Sequence, residues 1–257
     1  MTALLDVQDV TVRYGGLAAV DGVSFSLAAD EVISLIGPNG AGKTSLFNAI
    51  TGFVRPSGGV VTFKGSPITG KPPHEIARSG LVRTFQKRSY FPDLTVWDNV
   101  TTAALQHHVH GDGARGRKRD ARVRETADDV LALTGLQHRR HEVAQHLPYG
   151  EQRRLGMALA LAIQPSVLLL DEPCAGMNSA EIDDVMHLIE RLRARNLSIV
   201  VVEHQMKFVM GISHRVVVLD HGEKLAEGTP EEVRRNPEVI EAYLGRGARD
   251  DAAAAGS

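Results

Sequence analysis

One stretch of the sequence, Gly37-Pro38-Asn39-Gly40-Ala41-Gly42-Lys43-Thr44, decides how this chain folds. It fits the pattern G-x-x-x-x-G-K-[ST] and lies between an apolar run, Val32 to Ile36, and a helical pattern, Lys43 to Thr51. This order predicts a loop between a strand and a helix, whose backbone N–H groups and positive helix end bind phosphate oxygens. Lys43 is predicted to neutralise the β- and γ-phosphates, Thr44 to ligate Mg²⁺, and Ser45 to reach the α-phosphate. The indicated ligand is a purine nucleotide.

Two adjacent carboxylates, Asp171 and Glu172, close a later apolar run. Because adjacent side chains of a strand point to opposite faces, the two can serve separate roles. Asp171 is predicted to hold Mg²⁺ through a water molecule bound to the ion, and Glu172 is predicted to accept a proton from the attacking water. His204 comes shortly after another apolar run, Ser198 to Val202, and is predicted to contact the γ-phosphate. Gln86 follows the predicted strand Leu81 to Phe85, where its amide can contact Mg²⁺ or the attacking water.

The composition excludes several functional classes. The 257 residues include 29 Lys+Arg and 31 Asp+Glu, and the net charge of -2 argues against nucleic-acid binding. The single cysteine, Cys174, cannot form an internal disulfide and favours a reducing cytoplasm. The longest uncharged stretch, Leu155 to Leu170, is interrupted by polar residues, whereas a membrane span needs about 20 apolar residues. Work at a membrane is therefore expected to go through a partner.

Other apolar runs predict an α/β fold. Runs such as Ser198 to Val202 and Val216 to Leu219 are apolar on both faces, which is typical of interior strands in a parallel sheet covered by helices. The middle of the chain, residues 95–164, is predicted to be helical, and short helices are predicted at Pro230 to Arg235 and Pro237 to Leu244. Residues 245–257 are small, polar and rich in alanine, and are expected to form a disordered tail.

Together these motifs resemble the ATP-binding cassette (ABC) family over nearly the whole chain. The resemblance is carried by the phosphate loop, Gln86, Asp171-Glu172, His204 and a signature-like stretch, Leu147-Pro148-Tyr149-Gly150-Glu151-Gln152-Arg153. Tyr14 occupies the position where the family stacks an aromatic ring on adenine. The resemblance implies a P-loop NTPase core of ABC type, with an N-terminal antiparallel β subdomain and an α-helical subdomain at about 95–164. It implies one ATPase domain over residues 1–244.

A narrower resemblance is to the ATP-binding subunit of branched-chain amino acid importers. It is carried by Thr51-Gly52-Phe53, Val82 to Gln86, Tyr149-Gly150, Asp171 to Asn178, Val202 to Lys207 and the ending Asn236 to Gly245. This resemblance implies hydrolysis of ATP with Mg²⁺, at the cytoplasmic face of a bacterial inner membrane. The implied partners are a second ATPase subunit, two membrane permease subunits and, indirectly, a solute-binding protein; nucleic acid is not among them.

Three other functions share parts of the pattern. Urea or amide importers have similar subunits, and an exporter or lipid-extracting transporter uses the same core. A soluble cassette protein acting in DNA repair or on ribosomes usually carries a long coiled-coil insertion, a tandem cassette or a cysteine cluster, and the sequence shows none of these. Co-purification with a permease separates the transporters from the soluble class.

The sequence departs from the family pattern at the signature. Most cassettes have Leu-Ser-Gly-Gly-Gln, whereas here Pro148 replaces Ser, Tyr149 replaces Gly and Glu151 replaces Gln. The family's serine donates to the γ-phosphate bound by the opposite subunit, and proline has neither a hydroxyl nor an N–H group. Proline suits a helix's first turn, and Gly150 keeps its backbone donor. Because Asn178 also replaces the usual aspartate after the carboxylates, we expect a heterodimer with unequal composite sites.

Overall fold

A computed structural model of the chain describes residues 3–84, 89–110 and 116–243. It divides into two compact units: the first comprises Met1–Lys71 and Val200–Ser257, and the second comprises Pro72–Ile199. The predicted tail at 245–257 lies outside the described residues. Within the described ranges, no helix has the length and apolar character needed to cross a bilayer.

An antiparallel sheet forms the N-terminal part of the first unit. Its strands are β1 (Leu5–Tyr14), β2 (Leu17–Leu27), β4 (Gly58–Phe63) and β5 (Ser66–Pro67), in the order β2-β1-β4-β5. The hairpin between β1 and β2 closes with Tyr14 opposite Leu17. The alternation of buried valines with exposed residues along β1 shows that only one face of this strand enters the core.

The rest of the first unit contains a pair of short parallel strands, a further strand and several helices. Its elements are β3 (Val32–Ile36), α1 (Lys43–Ile50), α7 (Met206–Ile212), β9 (Arg215–Asp220), β10 (Glu223–Gly228) and α8 (Pro230–Arg235), and residues 237–243 are also helical. β9 pairs parallel with β3 and antiparallel with β10. All five residues of β3 are buried, including the polar Ser34, as the predominantly apolar run predicts.

Tyr243 and Arg215 make side-chain contacts within this part of the first unit. Tyr243 packs on a cluster that includes Ile36, Val218 and Val239, and burial raises the pKa of its phenol to about 12. Arg215 donates through Nε to Oε1 of Glu31 at 2.9 Å and also contacts Glu227. Burial lowers the pKa of Arg215, but the hydrogen bond and charge of Glu31, with Glu227, outweigh it, so the pKa is raised.

The second unit contains a parallel strand pair and a group of helices. Its elements are α2 (Pro73–Arg78), β6 (Leu81–Arg83), α3 (Val96–His110), α4 (Arg117–Thr134), α5 (Tyr149–Ala162), β7 (Val167–Asp171) and α6 (Ser179–Arg193), with 3₁₀ turns at Gln137–Arg139 and Ala144–His146. Helices α3, α4 and α5 contact one another and occupy the stretch predicted to be helical. β6 pairs parallel with β7. The remaining strand, β8 (Ser198–Val202), lies where the chain passes between the two units.

Candidate functional site

The predicted phosphate-binding loop lies between β3 and α1. Its last residue before the helix, Gly42, has a φ of 99°, and a Cβ there would lie 2.3 Å from the carbonyl oxygen of Ala19. Only glycine fits this position without moving the backbone. The loop closes with Ala41 N–H donating to the Pro38 carbonyl at 3.1 Å. The first turn of α1 contains no acidic residue, so its positive end is not neutralised locally.

Lys43 folds back across this loop. Its Nζ donates to the carbonyl oxygens of Gly37 at 2.6 Å and Pro38 at 2.9 Å, which places the ammonium group over the loop backbone. Thr44 is exposed and Ser45 is partly buried, while Asn39 and Gly40 are exposed at the tip of the loop. The loop therefore offers backbone donors, one cation and two hydroxyls, a set that suits a phosphate chain.

Tyr14 and His204 are exposed side chains of the first unit. Tyr14 ends β1 and is 48% exposed, as a surface that stacks on a base requires. His204 lies two residues after the end of β8, and its side chain is 59% exposed. The preceding residue, Glu203, is buried, and its Oε2 accepts from the backbone N–H groups of His204 at 2.9 Å and Gln205 at 3.3 Å. Sequence reasoning missed this carboxylate, which fixes the backbone that presents His204.

Asp171 and Glu172 differ sharply in environment. Asp171 ends β7, its side chain is only 3% exposed, and its Oδ2 accepts from a nitrogen of Arg83 at 2.6 Å. The other oxygen, Oδ1, is buried and has no hydrogen-bond partner among the residues that the structure describes. Glu172 is partly buried and has a φ of 47°, so the chain turns sharply at this residue. Cys174, two residues further on, is fully buried.

The signature-like stretch begins α5. Pro148 is the N-cap, one residue before the first helical residue, and has a φ of -53°. Leu147 is buried, and its carbonyl accepts from Nε2 of Gln152 at 2.8 Å. The exposed Tyr149 accepts at its hydroxyl from Arg153 at 2.7 Å, and the guanidinium lies over its ring.

Gly150 and Glu151 connect this helix end to its neighbours within the second unit. A Cβ on Gly150 would lie 2.3 Å from Oε1 of Glu181, so the helix backbone lies directly against the Glu181 side chain of α6. Glu151 accepts from Nε of Arg139 at 2.9 Å. A hydrogen bond with Glu142, followed by the charge of Glu151, raises the pKa of Arg139. One contact of the signature-like stretch, from Glu151 to Arg139, therefore depends on an acidic residue that the family's usual signature does not include.

Not every predicted residue can be placed. Gln86 lies outside the described residues, and so does Phe85, the predicted end of the strand before it. β6 ends at Arg83, and Thr84 continues to donate from its backbone to Leu169 at 2.9 Å. The first unit thus provides the loop, Tyr14 and His204, and the second provides the carboxylates and the signature-like stretch.

This fold and loop define a nucleotide-binding α/β protein. Residues 20–175 match the family model described as ABC transporter, and residues 223–249 match the model described as branched-chain amino acid ATP-binding cassette transporter. The high-affinity branched-chain amino acid transport ATP-binding protein BraF of Pseudomonas aeruginosa is 43% identical over 251 residues, which cover 94% of this chain and 98% of BraF. The chain therefore belongs to the ABC transporter family, and the resemblance seen in its sequence is confirmed.

Solved structures support the same assignment. An ATP-binding cassette of an ABC transporter in its ADP conformation has a TM-score of 0.81 and 28% identity, and the match covers 95% of this chain and all of that one. A bacterial ABC transporter cassette solved as a dimer has a TM-score of 0.76 and 26% identity, over 88% of this chain and 98% of the other. The predicted α/β cassette fold is confirmed. As a member of this family the chain is an ATP-binding protein and an ATPase.

Proposed function

We propose that this chain is the ATP-hydrolysing subunit of an importer that takes up branched-chain amino acids. The observation that carries the proposal is the match of residues 223–249, which include β10 and α8, to the branched-chain amino acid transporter model. The chain is a peripheral subunit, held by permease subunits at the cytoplasmic face of the bacterial inner membrane. It binds no cargo itself and supplies the energy for transport.

ATP is held in this proposal by the loop and the residues around it. Tyr14 stacks on adenine, the backbone from Gly37 to Gly42 receives the phosphate oxygens, and Lys43 neutralises the β- and γ-phosphates. Ser45 reaches the α-phosphate. The exposure of Tyr14 and the position of the loop at the start of α1 support these roles.

The oxygen groups available to Mg²⁺ fit that ion. Mg²⁺ prefers oxygen ligands and keeps several waters, and Thr44 has an exposed position at the start of α1. Asp171 has one buried oxygen that lacks a hydrogen-bond partner within the described ranges, as a carboxylate that receives a metal-bound water would. Gln86 completes the proposed set. When bound, Mg²⁺ neutralises charge that develops on the phosphate oxygens.

Hydrolysis is assigned to three residues. Glu172 takes the proton of the attacking water, His204 contacts the γ-phosphate, and Gln86 orients the water. The carboxylate of Glu203 supports the role of His204, because it orients the backbone at that turn.

A complete ATP site requires a second cassette, because the signature-like stretch Leu147 to Glu151 acts on the nucleotide held by a partner subunit. Pro148 offers no donor there, so the backbone N–H of Gly150 carries the contact. We propose a heterodimer in which the two composite sites are unequal. If the purified chain alone forms an ATP-dependent homodimer with full hydrolysis, this asymmetry is wrong.

Transport by reconstituted vesicles tests the proposal. The chain is purified from its host's membranes with the permease subunits that accompany it, and the complex is placed in vesicles with the solute-binding protein. We expect ATP-dependent uptake of leucine, and a complex containing Lys43→Ala serves as the control without hydrolysis. Uptake of urea in place of leucine would assign the chain to the urea or amide importers.

A further inference from the structure

We propose that Arg83 is a positioning residue that fixes the carboxylate of Asp171 for Mg²⁺. This inference rests on the Mg²⁺ role proposed above for Asp171. The two side chains are 6% and 3% exposed, and a guanidinium nitrogen of Arg83 donates to Oδ2 of Asp171 at 2.6 Å. A short, buried hydrogen bond between charged groups holds both partners in one geometry.

The strand register places Arg83, the last residue of β6, close to the end of β7 where Asp171 lies. β6 and β7 are parallel, and Arg83 pairs with Leu169, two residues before Asp171. Thr84 then extends the contact, because its hydroxyl accepts from the backbone N–H of Asp171 at 3.4 Å. Two consecutive residues of the chain that leads to Gln86 therefore hold both the backbone and the side chain of Asp171.

The two oxygens of the Asp171 carboxylate have different environments. Oδ2 accepts from Arg83, whereas Oδ1 is buried without a hydrogen-bond partner in the part of the chain that the structure describes. A buried acceptor without a partner is unfavourable, and a water bound to Mg²⁺ is a donor that would satisfy it. Arg83 thus determines which oxygen is presented to the metal and prevents the carboxylate from rotating.

If the ion pair between Arg83 and Asp171 only stabilises the fold, a different outcome is expected. Such a pair would affect the unfolding temperature when it is removed, but not the affinity for a metal ion once the protein is folded. A residue that orients a metal-associated carboxylate, in contrast, changes metal affinity by about 10–100-fold when it is replaced. Metal affinity, measured apart from turnover, therefore separates the two roles.

Mn²⁺ binding to the full chain provides the test. Glu172→Gln is used as the background so that ATP is not consumed, and protein is kept in excess so that nearly all nucleotide is protein-bound. Mn²⁺ is then titrated and followed by electron paramagnetic resonance, with ATP affinity measured separately in EDTA. We expect Arg83→Met to weaken Mn²⁺ binding about 10–100-fold, with ATP affinity in EDTA unchanged.

Two further variants make the result decisive. Arg83→Lys keeps the charge but not the planar fork, so its Mn²⁺ affinity is expected to lie between those of Arg83→Met and the background. Val82→Ala, at the neighbouring buried position of β6, is expected to lower the unfolding temperature and leave Mn²⁺ affinity unchanged.

The inference is overturned if folded Arg83→Met binds Mn²⁺ within twofold of the background. If Arg83→Met does not fold, Arg83→Lys decides by the same criterion. Asp171→Asn distinguishes the two proposals: if it leaves Mn²⁺ affinity unchanged, the Mg²⁺ role of Asp171 is wrong and the role of Arg83 is wrong with it. If Asp171→Asn weakens Mn²⁺ binding but the Arg83 variants do not, only the role of Arg83 fails.

Discussion

Glu172 combines a proposed catalytic role with a backbone conformation that non-glycine residues rarely adopt. Its φ of 47° lies in the left-handed region, which costs about 1–3 kcal/mol for such a residue when it is held there by the surrounding structure. The preceding residue, Asp171, is the last of a fully buried strand. The sharp turn therefore brings a partly buried carboxylate out of the sheet directly after a buried one.

Replacing Glu172 by Gln is expected to stop hydrolysis without preventing ATP binding. Gln has the same length and a similar backbone preference, but its amide cannot accept a proton, so the rate should fall by about 10²–10⁴. Phosphate release measures the rate, and calorimetry measures ATP affinity. A variant that hydrolyses ATP within tenfold of the unmodified chain would contradict the role of Glu172 as the base.

Tyr243 predicts a loss of stability at high pH. Because burial raises the pKa of its phenol to about 12, the folded state keeps a proton that the unfolded state releases near pH 10. The free energy of unfolding should therefore fall as the pH rises from 10 towards 12, and the free energy of unfolding of Tyr243→Phe should fall less steeply over the same range. Urea unfolding at pH 9 and pH 11 tests this difference.

Ultraviolet absorbance gives an independent measurement of the same group. The chain has four tyrosines, and tyrosinate absorbance should show a late titration near pH 12 that disappears in Tyr243→Phe. Tyr149→Phe, which changes an exposed tyrosine, should retain the late titration. A late titration that persists in Tyr243→Phe would show that another group causes it.

The helix α6 begins with a well-formed cap, although its N-cap residue, Asn178, departs from the family pattern. Asn178 is its N-cap and accepts from the N–H groups of Ala180 at 3.0 Å and Glu181 at 3.1 Å. Glu181 in turn accepts from the backbone N–H of Asn178 at 2.9 Å, which completes a capping box. Asparagine and aspartate are equally good N-caps, so the replacement of the family's aspartate does not weaken this helix end.

Variants at Asn178 are expected to separate helix capping from function. Asn178→Ala should lower the free energy of unfolding by about 0.5–2 kcal/mol, because two backbone donors lose their partner. Asn178→Asp should leave it nearly unchanged. Chemical denaturation of both variants measures the effect, and equal stability of Asn178→Ala and the unmodified chain would mean that the cap contributes nothing.

The sequence predicts some elements closely and others only in part. β3 and β8 have the predicted bounds because each is a predominantly apolar run with a single serine. β1 and β2 extend beyond the β-branched runs that predict them, Val7 to Val12 and Val23 to Leu27, because ladder hydrogen bonds also include exposed polar residues that carry no apolar signal. The pair Arg83–Asp171 is not predictable from local pattern, since it depends on the register of two strands that bring together residues 88 positions apart in the chain.

Stabilisation of the whole molecule by its ligand tests the proposed ATP site. A ligand that binds only the folded state stabilises it by about 2.7 kcal/mol at 100 times its dissociation constant. We expect this increase in the free energy of unfolding for Glu172→Gln when Mg²⁺ is present and ATP is at 100 times its dissociation constant. Lys43→Ala should lose a charge-assisted contact of about 1.5–3 kcal/mol, and the same ATP concentration should then stabilise it far less. Thermal unfolding followed by circular dichroism compares the two, and equal stabilisation would exclude Lys43 from the site.

The complete burial of the single cysteine, Cys174, also makes the chain convenient for spectroscopy. Maleimide and nitroxide reagents require an accessible thiolate, so the native sulfur should stay unlabelled while the protein is folded. A cysteine introduced at an exposed surface position would then carry the only dye or spin label. Distances between subunits during the nucleotide cycle can be recorded without first removing a side chain beside the proposed base.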